Sequence, residues 1–266
     1  MADALYELVV RFSSVLVIIA AGTLLEFVAD AEKQNHWTRL RGIFFWAFYV
    51  AGVVIAAAIT NNVAPHLGLK PLLSVDLRPL ESLGGWVAIA AVLTTALIVD
   101  FLYYWFHRLQ HACAPLWHFH QVHHSFEELN LANSAHHLTE EIFKIPFLVI
   151  PMALLIEIKV SEAPLLAAVL AGWGTFVHVN ARISFGPLNY VLSQPRYHRV
   201  HHSMDERHHN KNFASLFPIW DIVFGTAYFP NDAEPIRTGL HDKRGPRSVR
   251  EYLFALAARD AEKARK

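Results

Sequence analysis

Cysteine is almost absent from this chain, since Cys113 is the only one in 266 residues. A disulfide-stabilised scaffold needs paired cysteines and is therefore excluded. Charged residues are also scarce, at 17% of the chain, whereas an ordinary soluble domain carries about 25%. The 23 basic and 23 acidic residues cancel, so the charge balance gives no reason to expect nucleic acid as a partner.

Apolar residues are abundant instead. Hydrophobic side chains make up 54% of the chain and concentrate in five runs. A helix needs about 20 residues to cross the roughly 30 Å hydrocarbon core of a membrane. Three runs reach that length, and the last two are shorter and could form a re-entrant hairpin. Buried helices of a soluble all-α domain are the alternative, but three nearly uncharged runs within the first 106 residues disfavour it. The runs cover residues 6–28, 42–60, 84–106, 143–158 and 163–179.

The pattern predicts an all-α fold, namely an integral-membrane bundle of about four to five apolar helices. The histidine-rich segments between and after the later runs predict a cap on one face of the membrane. Residues 29–41 are expected to form a polar loop between the first two runs. Residues 249–266 place Tyr252, Leu253 and Leu256 among charged residues at helical spacing, which predicts an amphipathic helix.

Histidine is the residue type in excess, with 17 copies, of which 14 lie between His107 and His209. Eight of these histidines form three boxes. The first box has the spacing i, i+4, and the other two have the spacing i, i+3, i+4. Residues three and four apart share one face of a helix, so each box can direct its imidazoles at one centre. The boxes are His107 and His111; His120, His123 and His124; and His198, His201 and His202.

Eight neutral imidazoles exceed the four ligands of one tetrahedral zinc ion. They suit two metal ions that keep positions open for other ligands. Imidazole binds zinc, copper, iron and nickel alike, so the ligand type alone does not name the metal. His178 ends the fifth apolar run on the side of the boxes, and it is the candidate for a ninth ligand.

Three further residues are candidates for holding a ligand imidazole in place. Asp100 lies seven residues before His107, almost two helical turns, and a carboxylate inside a membrane usually has a partner. We interpret it as the acceptor of an imidazole N–H; a purely structural role is the alternative. Glu140 follows His137 by three residues, so these two could act as a ligand and its acceptor, whereas the neighbouring His136 is equally compatible with a surface position.

The order of the runs predicts that all the boxes face one compartment. The third run ends at the first box, and the hairpin of the last two runs returns the chain to the same side before the third box. Lysine and arginine are more frequent on that side, so the positive-inside rule places the histidine face in the cytoplasm. A lone cysteine also suits a reducing compartment.

The boxes and their flanks resemble the sterol desaturase/fatty acid hydroxylase superfamily of integral-membrane di-iron enzymes. The order HxxxH, HxxHH and HxxHH is the pattern of that family. Residues 100–108 (DFLYYWFHR) and 116–125 (LWHFHQVHHS) are similar to its motifs, and so is the last block, residues 186–226. The resemblance covers residues 85–230 and is specific in the boxes.

The resemblance has one departure, at residues 135–140. The family pattern there is Arg-x-His-Pro-Leu-Glu, which His137 and Glu140 fit, but Ala135 stands in place of the arginine. A substrate contact by that arginine is therefore not carried over. The haem-binding segment His-Pro-Gly-Gly is not found either, so the resemblance implies a separate electron donor, which is a cytochrome b5-like protein, a ferredoxin or a reductase.

The resemblance implies O2-dependent chemistry at an unactivated C–H bond of a lipid that enters from the bilayer. Two iron ions held by the boxes would supply it, because no side chain can. Hydroxylation, desaturation and ether cleavage stay open, as do sterol, fatty acyl and ether-lipid substrates. We expect three parts: N-terminal membrane helices (1–83), a histidine-box di-iron oxygenase domain with the membrane hairpin (84–230) and a cytoplasmic C-terminal tail (231–266).

Two other functions fit the histidines less well. A zinc transporter keeps its ligands near the middle of the bilayer on several spans, whereas these histidines lie at helix ends and in loops. A membrane zinc hydrolase needs an HExxH helix with its glutamate base, and the sequence has none. A metal-handling membrane protein such as a zinc transporter is therefore the alternative to the oxygenase.

Overall fold

Three long helices dominate the computed structural model, which describes residues 2–28, 32–159, 172–231, 234–241 and 244–254. They are α1 (Ala2–Val28), α2 (His36–Val63) and α3 (Trp86–Ala112). Each is long and apolar enough to cross a membrane. The fold is therefore the mostly helical membrane bundle that the sequence predicts.

Helix α2 begins six residues before the apolar run that predicted it. Asn35 caps its first turn, since the Asn35 side chain accepts a hydrogen bond from the backbone N–H of Trp37 at 2.9 Å. Arg39 and Arg41 therefore lie on the helix, and the prediction of a polar loop as far as residue 41 was wrong. Arg39 instead forms an ion pair with Glu26 of α1.

Helix α3 is longer than the membrane core. Its 27 residues rise about 40 Å, against the roughly 30 Å of hydrocarbon. Its last turns can therefore project from the bilayer with the first histidine box. Cys113 ends α3 and α4 (Ala114–His124) starts at once, with Pro115 in its first turn, where the missing N–H costs nothing.

The fourth apolar run is not one helix. It consists of α5 (Glu140–Lys144), a π-helical turn (Ile145–Val149), α6 (Ile150–Leu155) and strand β2 (Ile156–Lys159). The helix predicted for 143–158 therefore ends early, because its last residues are extended and pair with another segment.

That partner is strand β1 (Leu73–Asp76), which runs parallel to β2 with Leu73 opposite Ile156 and Asp76 opposite Lys159. Strand β1 precedes α3 in the chain and lies at the end of α3 opposite its histidines. The π turn and α6 also contact α3. Residues 140–159 therefore extend from the histidine end of α3 to its other end.

The remaining helices of the described part are short. They are α7 (Pro195–His201), which carries the third box, α8 (Ile219–Val223) and α9 (Val249–Leu253). The fifth apolar run falls largely outside the described residues, and only 172–176 of it are seen as helix. The predicted C-terminal helix is seen as α9, and residues 255–266 lie outside the described residues.

The core joins the membrane helices to the histidine-bearing segments. Phe45 of α2 is buried and stacks on the fully buried Tyr252 of α9 at 4.8 Å between ring centres. Gly42 and Gly52 let the segment before α5 lie directly on α2, since a Cβ at either would meet a backbone oxygen of that segment at 2.2 Å. Residues 131–138 are thus held against α2.

A buried carboxylate ties both histidine-bearing loops to α1. Glu26 is 2% exposed and accepts the backbone N–H groups of Leu131 at 3.1 Å and Asn180 at 2.9 Å. Asn180 follows His178 by two residues, so the end of α1 fixes the segments on both sides of the candidate site.

Candidate metal centre

The three boxes meet where α3, α4 and α7 come together. Nine buried or half-buried histidines divide into two groups, and within each group the ligand atoms all lie within 4.8 Å of one another. The five-histidine site consists of His107, His111, His120, His124 and His201. The four-histidine site consists of His123, His178, His198 and His202.

The nitrogens of the five-histidine site converge at a spacing that suits a metal ion. His120 Nε2 lies 3.1 Å from the Nε2 atoms of both His107 and His124. Two nitrogens bound to one ion at about 2.1 Å and a right angle would be about 3.0 Å apart. His111 Nε2 and His201 Nε2 are buried without a hydrogen-bond partner, as expected of atoms that bind a metal.

The four-histidine site has the same spacing. His178 Nε2 lies 3.1 Å from His123 Nε2 and 3.0 Å from His198 Nε2, and His202 Nε2 lies 3.2 Å from His198 Nε2. Four imidazoles leave positions open on an ion that takes five or six ligands. The residues present therefore fit one metal ion in each site.

Adjacent histidines place the two sites side by side. His123 belongs to one site and His124 to the other, and His201 and His202 divide in the same way. The rings of His124 and His202 stack at 4.4 Å between centres. Each HxxHH box therefore serves both sites at once.

Burial keeps these imidazoles neutral. It lowers the pKa of His201 to about 3. It also lowers the pKa of His123, His124 and His198 well below the usual range, and neighbouring imidazoles add to the effect. Metal binding requires the neutral form, so the site is ready to bind at neutral pH.

Backbone carbonyls orient two rings of the five-histidine site. His107 Nδ1 donates to the carbonyl oxygen of Phe213 at 2.7 Å, and His201 Nδ1 donates to that of Lys211 at 2.8 Å. Both rings thereby present Nε2 to the centre. Such an acceptor fixes the tautomer and orientation of a ligand imidazole.

Glu140 orients a third ring, which is that of His120 and not that of His137, with which the sequence analysis paired it. Its buried carboxylate accepts His120 Nδ1 at 3.0 Å, Gln110 Nε2 at 2.7 Å and His136 Nδ1 at 3.0 Å. Burial opposes ionisation, but His136 and His120 outweigh it and hold the pKa of Glu140 well below its usual range. Glu140 is thus a charged acceptor at neutral pH.

Asp100 has a different role from the predicted one. Its carboxylate accepts the three backbone N–H groups of residues 215–217 at 3.1, 3.0 and 2.8 Å, so the interpretation as an imidazole acceptor was wrong. The aspartate lies almost two turns below His107, where the chain after Phe213 crosses α3. It acts on His107 only through the position of that segment.

Sequence reasoning missed Asp221, although it lies in the last motif block. Its buried carboxylate accepts the N–H of Phe213 at 2.8 Å, the N–H of Ala214 at 2.9 Å and the hydroxyl of Tyr197 at 3.0 Å. It therefore holds the same segment from the side of α7. Its position one residue after Trp220 in that block was the available signal.

The sequence suggested His137 for a place at the metal sites and left His136 compatible with a surface position, and the structure shows the reverse. His137 binds Thr139 Oγ1 at 2.9 Å and packs against Tyr252, so it joins neither site and the prediction for it was wrong. His136 instead stacks on His123 at 3.7 Å between ring centres. The chain before α5 is irregular and directs the side chain of His136, not that of His137, toward the candidate metal sites. Helical spacing does not predict this orientation.

A cavity of about 730 Å³ opens beside the two sites. Its wall at one end includes His107, His123 and His198, and it follows α3 as far as Val92. Val92 and His107 lie about 22 Å apart along the helix at 1.5 Å per residue. The far part is apolar, and Ile158 of β2 lines it. The cavity therefore has the shape of a site for a long apolar chain that ends at the histidines.

The sequence is similar to those of known proteins. The sequence model of the family described as fatty acid hydroxylase matches residues 92–226. An ornithine lipid hydroxylase, OlsE of Rhizobium tropici, is 31% identical over 266 aligned residues, which cover 97% of this chain and 76% of that protein.

The alkylglycerol monooxygenases of Homo sapiens and Danio rerio are each 36% identical over 142 residues. That match covers 53% of this chain and 31% of each relative, so the likeness to these proteins is confined to about a third of their length. No solved structure matches the chain.

Proposed function

The chain belongs to the fatty acid hydroxylase family, and we propose that it is a membrane-bound di-iron oxidoreductase that uses O2 to hydroxylate a C–H bond of a lipid. The observation that carries the proposal is the position of two polyhistidine sites at one end of a long, largely apolar cavity. Hydroxylation is preferred over desaturation because the relatives are a hydroxylase and monooxygenases.

The two sites would each hold one iron ion, and nine histidines supply the ligands. The bound ions would supply the reduction of O2 and the attack on an unactivated C–H bond, which no side chain can carry out. The chain itself fixes the geometry. Glu140 and the carbonyls of Phe213 and Lys211 hold three ligand rings.

The proposal extends to partners and orientation. The substrate would enter from the bilayer, and the electrons would come from a separate donor such as a cytochrome b5-like protein, a ferredoxin or a reductase. The histidine face would lie in the cytoplasm. The N-terminal membrane helices, the oxygenase domain at 84–230 and the cytoplasmic tail after residue 231 would be the three parts of the chain.

A comparison of lipids in cells with active and inactive protein tests the proposal. Cells expressing the wild type should contain a lipid with one added oxygen that cells expressing His120→Ala or His201→Ala lack. The added oxygen should carry label from ¹⁸O2. Lipid profiles that do not differ, or a product without the label, would contradict the oxygenase activity. Zinc in place of iron in the purified protein would favour a metal-handling role.

A further inference from the structure

A lysine lies in the wall of the largely apolar cavity. Lys144 of α5 lines the cavity beside Tyr49 of α2 and Tyr103 of α3. Its side chain keeps 20% of its surface exposed. Among the described residues that line the cavity, it is the only lysine or arginine. A cation in such a place is costly to keep, so its purpose requires an explanation.

The neighbours of Lys144 balance its charge but do not occupy all of its hydrogen-bond donors. Its ammonium group donates to Glu141 Oε1, and the hydroxyl of Tyr49 donates to the same oxygen. The ammonium also lies 5.9 Å from the centre of the Tyr103 ring. An ammonium group has three donors, and one ion pair with one ring contact leaves a donor for the cavity.

The position of Lys144 is close to the metal sites. It follows Glu140, the acceptor of His120, by one helical turn, about 6 Å. The Tyr103 ring that Lys144 faces lies 5.4 Å from the ring of His107. One aromatic ring therefore separates the ammonium group from a candidate metal ligand, at the same end of the cavity.

The charge balance defines what this group can bind. Lys144 and Glu141 together are neutral, so the pair exerts no net attraction on a free carboxylate or phosphate and does not compensate the hydration that such a group would lose. A neutral polar group such as an amide, an ester or a hydroxyl needs only the spare donor. The apolar remainder of the ligand would then follow the cavity toward Val92 and Ile158.

We propose that Lys144, held by Glu141 and Tyr49, binds the neutral polar group of a long-chain lipid and so places a carbon near that group at the metals. This inference rests on the proposed function for its chemistry, but the binding step does not. It names the substrate class as lipids with an amide, ester or hydroxyl at the head of an apolar chain. It also predicts oxidation near the head, since the rest of the chain lies farther along the cavity.

Binding without turnover tests the proposal. The full-length, metal-loaded protein in phosphatidylcholine nanodiscs is titrated, without O2 or reductant, with a long-chain fatty amide and with the free fatty acid of the same length. Lys144→Met should weaken amide binding by about tenfold or more, the usual effect of losing a hydrogen bond from a charged donor. Any affinity for the acid that comes from the metal ions does not depend on this donor.

Two further variants control for folding and charge. Lys144→Met leaves the Glu141 carboxylate without its cation, so Glu141→Gln is combined with it to keep the pair of positions neutral. This double variant should show the same loss of amide binding and nearly unchanged binding of the acid. Lys159→Met removes an exposed lysine at the far end of the protein and should bind both probes as the wild type does. Amide binding that is unchanged in both Lys144 variants, or equal losses of amide and acid binding in the double variant, would overturn the proposal.

The same titration separates this inference from the proposed function. If the wild type binds the amide through Lys144 but forms no labelled product from any lipid, the hydroxylase activity is wrong and the binding site stands. If labelled product forms equally with Lys144→Met and at the same carbon, the activity stands and the role of Lys144 is refuted.

Discussion

His120 and Glu140 form a buried pair in which Nδ1 of the imidazole lies 3.0 Å from a carboxylate oxygen. The two residues come from different helices, and each is at most 1% exposed. The carboxylate thereby turns His120 Nε2 toward the nitrogens of His107 and His124. A residue outside both sites thus decides the geometry of one of them.

Glu140→Gln should impair metal binding without unfolding the protein. Glutamine keeps the size and one acceptor oxygen but loses the charge that holds the His120 N–H. The loss of such an acceptor typically costs 10–100-fold in metal affinity or activity. Iron content after reconstitution at limiting metal measures it, with Glu157→Gln on the exposed strand β2 as the matched control. Equal iron content in both variants would contradict this role.

Loss of one ligand should remove the ion of its own site, and excess iron should keep the other site loaded. His201→Ala should remove the ion of the five-histidine site, and His178→Ala that of the four-histidine site. The second loss should be the more complete, because the smaller site keeps only three imidazoles. Metal per chain by elemental analysis reports both, and His66→Ala, outside both groups, is the control. Wild-type metal content in either variant would argue against the assignment of that ligand.

Asp100→Asn should reduce stability first and metal content second. The three N–H groups of residues 215–217 would face an amide in place of a carboxylate. Leaving a buried donor unsatisfied costs about 1–3 kcal/mol, so the unfolding free energy should fall by that order. Thermal unfolding of the metal-free protein measures it, and Thr94→Ala on the exposed side of α3 is the control. A variant that is as stable as wild type but loses iron would restore the imidazole-acceptor role.

Acid should destabilise the metal-free protein. His201 has a folded-state pKa of about 3, against an ordinary value of 6.5. Between those values only the unfolded chain takes up the proton, so the unfolding free energy falls as the pH falls through this window. Denaturant unfolding at pH 7 and pH 5 should show a lower midpoint at pH 5. Metal-loaded protein should change less, because the ion keeps its ligands neutral, and equal acid sensitivity of the two forms would refute the explanation.

The orientation can be read by cysteine labelling. After Cys113→Ala, a cysteine at Arg207 should react with a membrane-impermeant reagent only from the cytoplasmic side, and one at Lys70 only from the opposite side. Arg207 follows the third box and Lys70 precedes α3, on opposite ends of that helix. Labelling of both from one side would show that α3 does not cross the membrane.

The sequence was sufficient for features that depend on local spacing. The first two boxes lie on helices, as i, i+3 and i, i+4 spacing predicts, and the third lies on a helix up to His201, with His202 directly after its end. The three longest apolar runs are helices as well. It was insufficient where distant segments decide. Ile156 is in a strand because Leu73 pairs with it, and a short apolar run gives no hint of such a partner.

The errors at the candidate site have the same origin. Asp100 binds a segment more than a hundred residues later in the chain, which helix geometry cannot reveal. His136 contacts the candidate metal sites and His137 does not, because the chain between α4 and α5 is irregular. The one-residue choice between them depends on backbone angles that Tyr252 and α2 help to set from elsewhere in the fold.

The division of neighbouring histidines between the sites has a thermodynamic consequence. An ion bound by His124 and His201 also restrains His123 and His202, because each pair shares a peptide bond. The second ion would then bind ligands that are already ordered, so its binding would cost less conformational entropy than that of the first ion. We therefore expect the two binding equilibria to be linked with positive cooperativity. Native mass spectrometry during an iron titration should show chains with no ion and chains with two, and few with one, because the half-loaded chain would be the least populated state.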